Sequence, residues 1–101
     1  MYKEVKIAAY CEPREGTTQD GRAWKMQDIV VMWEEENVNH EIFQQRCLCT
    51  TSQSIDQDRL KEVADKQQKI SARIYFDFHS WNDRLYAANR VYLSNEILKN
   101  N

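Results

Sequence analysis

Two glycines and one proline are all that a chain of 101 residues contains. That scarcity excludes collagen-like and linker-like composition. No apolar stretch approaches the roughly 18–20 residues of a membrane span, and the opening run MYKEVKIAAY lacks the apolar core of a signal peptide. The sequence therefore reads as a soluble, cytoplasmic protein with no membrane partner. Charge of one sign is scarce too: 14 Lys and Arg against 16 Asp and Glu give a net charge of −2. What the chain does have is 42% hydrophobic and 11% aromatic residues. That is enough for one core, and residues 1–101 match a single domain of the usual roughly 100–150 residues.

The distribution of charge says more than its sum. Residues 1–33 balance. Residues 34–67 carry four basic against eight acidic side chains, a net −4, and residues 68–101 carry five against three, a net +2. A phosphate-facing surface would draw on the first and last thirds and avoid the middle.

All three Gly and Pro residues lie between Pro13 and Gly21, which marks one long loop. Before it, Val5, Ile7, Ala9 and Cys11 alternate with polar neighbours at the two-residue period of a half-buried strand. After it, Ala23 to Trp33 reads as a second strand, and the run from Glu34 to His40 turns the chain. Ile42 to Thr51 forms a weaker third. Ser54 with Gln57 has the form of a capping box opening a helix to Gln67, with Leu60, Val63, Ala64 and Gln67 on its mostly apolar face.

The clearest alternation comes last: Ile70, Ala72, Ile74, Phe76 and Phe78 share one face, Ser71, Arg73, Tyr75, Asp77 and His79 the other. Trp81-Asn82-Asp83 turns the chain into a fifth strand whose apolar face is Leu85, Ala87, Val91 and Leu93. Asn89 falls on that apolar side and is expected at a bulge or in a hydrogen bond to backbone. Leu98 to Asn101 is expected to fray.

The reading is all-β with one helix: five strands, and the helix between the third and fourth. This is the order of the OB-fold, a small partly open barrel, with the helix capping its base. Ubiquitin-like and ferredoxin-like folds do not place a sole helix there. A split SH3-like barrel is the nearest competitor, should the helix be misread.

Gly21-Arg22-Ala23-Trp24-Lys25-Met26-Gln27, running into Ile29-Val30-Val31, resembles the opening of strand 2 in a family of short uncharacterised bacterial OB-fold proteins related to the single-stranded-DNA-binding proteins. Phe76-Asp77-Phe78, Ser80, Asn82, Arg84 and Tyr86 resemble the closing hairpin of the same family. The resemblance implies binding of single-stranded nucleic acid, DNA before RNA, and frequent self-association.

OB-folds that hold single strands combine a cationic groove with aromatic platforms on which bases stack. The candidate residues are Arg14, Arg22, Trp24 and Lys25 in the first region, and Trp81, Arg84 and Tyr86 in the second. Tyr75, Arg90 and Tyr92, on the outer face of the last two strands, suit a protein interface equally well, so a homo-oligomer or protein-interaction module is the alternative.

No cofactor is implied. Cys47-x-Cys49 is a poor match to the spacing of zinc knuckles, and Cys11, Cys47 and Cys49 read as small buried hydrophobes, so no metal is expected. Gly16 to Gly21 has the glycine spacing of a phosphate loop, but Arg22-Ala23 follow in place of Lys-Ser/Thr. Neither histidine has an obvious nucleophile nearby. The expectation is a binding protein and not an enzyme.

Overall fold

The computed structural model describes residues 2–99, with the side chains of residues 77–79, 81 and 85–88 outside that description. Among the described residues there are six antiparallel strands and two short helices: β1 (Tyr2–Tyr10), β2 (Arg14–Thr17), β3 (Ala23–Glu36), β4 (Ile42–Thr51), α1 (Gln57–Asp65), β5 (Ile70–Trp81), β6 (Arg84–Tyr92) and α2 (Asn95–Lys99). The order in the sheet is β2-β3-β1-β5-β6, with β4 on the other edge of β3. Among the described residues no helix is long and apolar enough to cross a membrane.

β1 joins the two halves of this sheet. Tyr2–Val5 pair with β5, and Lys6–Tyr10 pair with β3. The register slips between Ile7 and Ala9, and the extra residue changes which side chains face inward. Val5 and Ile7 are buried, Ala9 and Cys11 are exposed, and Tyr10 packs against the core. The simple alternation expected through Ala9 and Cys11 is therefore overturned by a bulge.

β3 is longer than expected because Glu34, Glu35 and Glu36 continue its ladder with Gln44, Phe43 and Ile42. Its first residues lie outside the core and pair with β2, a strand inside what reads as a loop. Gly21, at φ +86, takes the left-handed conformation at the tip of this arm. The chain reverses between β5 and β6 through Asn82 and Asp83, both at positive φ, the type I′ geometry that matches strand twist. The two arms make the molecule flat, 53 × 41 × 19 Å. They also raise its radius of gyration to 15.5 Å, against about 13 Å for a compact chain of this length.

The inner face of β1, β3, β4, β5 and β6 supplies Val5, Ile7, Ile29, Val31, Cys47, Cys49, Ile70, Ala72, Ile74 and Val91 to one core. Leu60 and Val63 of α1 and Leu98 of α2 close it from one end, each fully buried. Leu98 therefore does not fray. Arg59 Nε donates to its carbonyl at 2.7 Å, and Asn95 bridges Asp56 N–H and the Ser54 carbonyl.

The N-cap of α1 is Asp56, whose carboxylate accepts from Arg59 N, in place of Ser54. The C-terminus is a Schellman turn: Gln68 N donates to Val63 O and Gln67 N to Ala64 O, with Gln67 at φ +52 and exposed. Asn89 marks no bulge, since the β5–β6 register runs unbroken from Arg73↔Tyr92 to Trp81↔Arg84, and Asn89 is exposed. Phe76, opposite it, is 55% exposed because the hairpin has by then left the core.

No backbone ladder joins β4 to β6 among the described residues, so the sheet is open where a five-stranded barrel was expected. The two edges nevertheless lie side by side. Cys47 Sγ donates to Asn89 O at 3.0 Å, Cys49 is hydrogen-bonded by the Leu93 backbone, and Gln53 Nε2 donates to Tyr92 Oη at 3.2 Å. Thiols thus bond to the backbone of β6 at Asn89 and of Leu93 just beyond it.

At the other side of the core, Gln27 is 2% exposed. Its amide pairs reciprocally with that of Gln57, at 2.9 and 2.8 Å, and also donates to Cys11 O at 2.9 Å. This links β3, the start of α1 and the end of β1. Gln27→Leu strands the Gln57 amide and the Cys11 carbonyl and is expected to cost about 2 kcal/mol in urea unfolding. The Gln27→Leu/Gln57→Leu double variant is expected to cost less than the sum of the two single changes, because the orphaned partner is removed with it.

Candidate nucleic-acid interface

The β2–β3 arm carries the first group of expected residues. In its ladder Gly16 faces Trp24, Arg14 faces Met26 and Glu15 faces Lys25. Strand alternation then puts Arg14, Trp24 and Met26 on the outer face and Lys25 on the opposite one. Trp24 is 41% exposed, with its indole laid across Gly16 so closely that a Cβ there would stand 2.6 Å from Cζ2. Glycine at 16 is what lets the ring lie flat against its neighbour strand.

The two arginines of this arm are matched by carboxylates. Arg14 pairs with Asp28 at 3.1 Å, and Asp28 also accepts from Thr50 Oγ1 at 2.8 Å. Arg22 pairs with Asp20 at 3.0 Å, and the Thr18 hydroxyl together with Arg22 holds the Asp20 carboxyl below its ordinary range. Both Asp20 and Arg22 are exposed, so water screens their pairing. The acidic run lies at the far end of β3. Ten residues separate Trp24 from Glu34, about 33 Å of strand, and Glu35 is engaged by Lys3 and by Trp33 Nε1 at 2.5 and 2.6 Å. Those two partners lower the Glu35 carboxyl pKa, Lys3 most strongly.

Of the second group, Arg84 is exposed beside the β5–β6 turn, in register with Trp81. The side chains of Trp81 and Tyr86 lie outside the described residues.

The third group assembles more fully than expected. Tyr2 pairs with Arg73, Arg73 with Tyr92, and Tyr75 with Arg90, all on the outer face of β1, β5 and β6. Tyr2 and Arg73 were missed as site residues. Arg73 shares a face with Tyr75 in the sequence pattern, but the pairing of β1 with β5 that brings Tyr2 beside it leaves no mark in local alternation.

No group of three or more His, Cys, Asp or Glu side chains is placed to hold a metal among the described residues. Cys47 and Cys49 are buried and Cys11 is exposed. Burial pushes the Cys49 thiol up to about 11, and raises Cys47 as well. Comparison with protein-family models, with curated proteins and with solved structures returns no match.

These thiol environments have a chemical consequence. At pH 8 a disulfide reagent such as dithionitrobenzoate is expected to modify Cys11 promptly and the other two only on unfolding. A raised folded pKa confers stability that is fully present below the unfolded value of about 8.5 and is lost as pH climbs through about 11. Part of the alkaline loss of stability should therefore vanish in Cys49→Val, as read by unfolding curves at successive pH values.

Proposed function

We propose that this chain is an OB-fold barrel that binds single-stranded nucleic acid, DNA before RNA, without catalysis. The observation that carries the reading is the strand order β4-β3-β1-β5-β6, with the β4 and β6 edges adjacent and α1 inserted between β4 and β5 at one end of the core. This order supports a five-stranded barrel of that class, with β2 as an added strand on its first loop. Trp24 on the arm, with Arg14 and Arg22 around it, supplies an exposed aromatic beside cations, and Arg84 extends from the opposite arm. Bases would stack on the indole while guanidinium groups meet phosphates, both tolerant of sequence. The family resemblance of Gly21–Val31 points the same way.

Tryptophan fluorescence titrated with oligo-dT at low salt tests this. Quenching is expected, with affinity falling as salt rises because counterions are released from the strand. Trp24→Ala is expected to weaken binding by about 1–3 kcal/mol. Absence of quenching and of salt dependence would refute the reading.

One observation favours a second reading, self-association. The β3–β4 turn exposes Val38 (94%), Ile42 (69%) and Phe43 (44%) together at one tip. Light scattering that reports an oligomer in the native chain and a monomer in Val38→Ser/Ile42→Ser would establish it, and a monomer in both would dismiss it.

A further inference from the structure

We propose that the outer face of β1, β5 and β6 is a second platform for the nucleic-acid strand, with Arg73 and Arg90 on phosphates and Tyr2, Tyr75 and Tyr92 against bases. The inference rests on the nucleic-acid reading and gives it a surface that the β2–β3 arm does not include.

The register arranges these five side chains as a checkerboard. One row across the sheet is Tyr2–Arg73–Tyr92, and the next is Tyr75–Arg90. Each arginine has a tyrosine beside it across the sheet and another two residues along its own strand, about 6.6 Å away. All three rings are exposed, Tyr2 at 69%, Tyr75 at 42% and Tyr92 at 46%.

Two of them are held in place. The Arg73 guanidinium lies over the Tyr75 ring, 5.9 Å from its centroid, and Gln53 donates to the Tyr92 hydroxyl. Tyr2, Arg73 and Tyr92 line a hollow of about 420 Å³ completed by Ser71, Ser94, Glu96 and Ile97.

Charge chooses the occupant. On the β2–β3 arm Arg14 and Arg22 have carboxylate partners, whereas Arg73 makes no salt bridge among the described residues. Acidic residues stand at its edges, Glu4 opposite Ser71, Glu96 in the lining of the hollow, and Asp77 opposite Ala88 in the next row of the ladder, so the two arginines occupy the middle of the face. The side chains between the aromatics are cationic or hydroxylic, with no aliphatic residue among the five. A partner that offers planar rings and anionic groups at alternating positions fits such a surface, and a single strand of nucleic acid is that partner.

The test is fluorescence anisotropy of labelled oligo-dT of about 16 nucleotides, the upper range for one such fold, across a salt series with the full chain. Removing two phosphate contacts in Arg73→Gln/Arg90→Gln is expected to flatten the log–log salt slope by about 1.4. Tyr75→Ser/Tyr92→Ser is expected to weaken binding about tenfold or more, and Tyr75→Phe/Tyr92→Phe to retain it, since stacking needs the ring and not the hydroxyl. Circular dichroism and sedimentation of each variant accompany the titrations.

If both double variants bind like wild type while Trp24→Ala is impaired, the platform is wrong and the nucleic-acid reading stands. If the wild-type chain binds no oligonucleotide at low salt, both fall together. If the serine variant stays folded and its only change is a shift from oligomer to monomer, the face is a protein interface and the platform is overturned.

Discussion

The exchange of partners by β1 is the constraint on which the rest of the structure depends. Its first residues complete a sheet with β5 and β6, and its later ones complete a sheet with β3 and β4. The sheet must bend where one pairing gives way to the other, and the bulge beyond Ile7 supplies one residue of slack. That bend brings β4 back against β6, buries Val5 and Ile7 at the centre, and leaves one end of the core open for α1 and α2 to cover. It also places Tyr2 beside Arg73, so the surface chemistry follows from the same handover.

The closing seam is unusual in what holds it. Among the described residues no backbone ladder crosses it, and two thiols and a glutamine amide do. Cysteine suits the position because it is small enough to bury and can still donate weakly to, or accept from, a strand edge. The Gln27–Gln57 pair does the corresponding work at the opposite side of the core, where a fully satisfied buried amide fixes the helix in one place.

Local pattern disclosed the five long strands and the principal helix, because each has apolar residues at the period of its own conformation. Besides the bulge in β1 and the extension of β3 through Glu36, three things escaped it. β2 is only four residues long and carries Gly16, so it has no apolar alternation to detect. The helix start at Asp56 competed with a Ser54–Gln57 spacing that mimics a cap. α2 holds five residues, too few for a period, and is kept in place by tertiary contacts through Leu98 and Asn95.

Legibility of the candidate site follows the same division. Trp24 and its basic neighbours are adjacent in sequence and could be read directly. Tyr75, Arg90 and Tyr92 could be read as exposed but not as one lattice with Tyr2 and Arg73, since that requires the register between two residues 71 positions apart in the chain. The opposing face of Lys25 was hidden for the same reason that Tyr10 was: alternation gives relative faces, and only the three-dimensional pairing says which face meets the core.

The central claim is that a single strand of nucleic acid runs over the arginine–tyrosine and tryptophan surfaces of this sheet. The most direct measurement is an amide shift map of the labelled protein by NMR as oligo-dT is added. The account predicts shifts that concentrate at Tyr2, Arg73, Tyr75, Arg90, Tyr92 and Trp24, with Glu34–Glu36 undisturbed. A map that is silent at those positions, or that centres on the acidic β3–β4 turn, would contradict it.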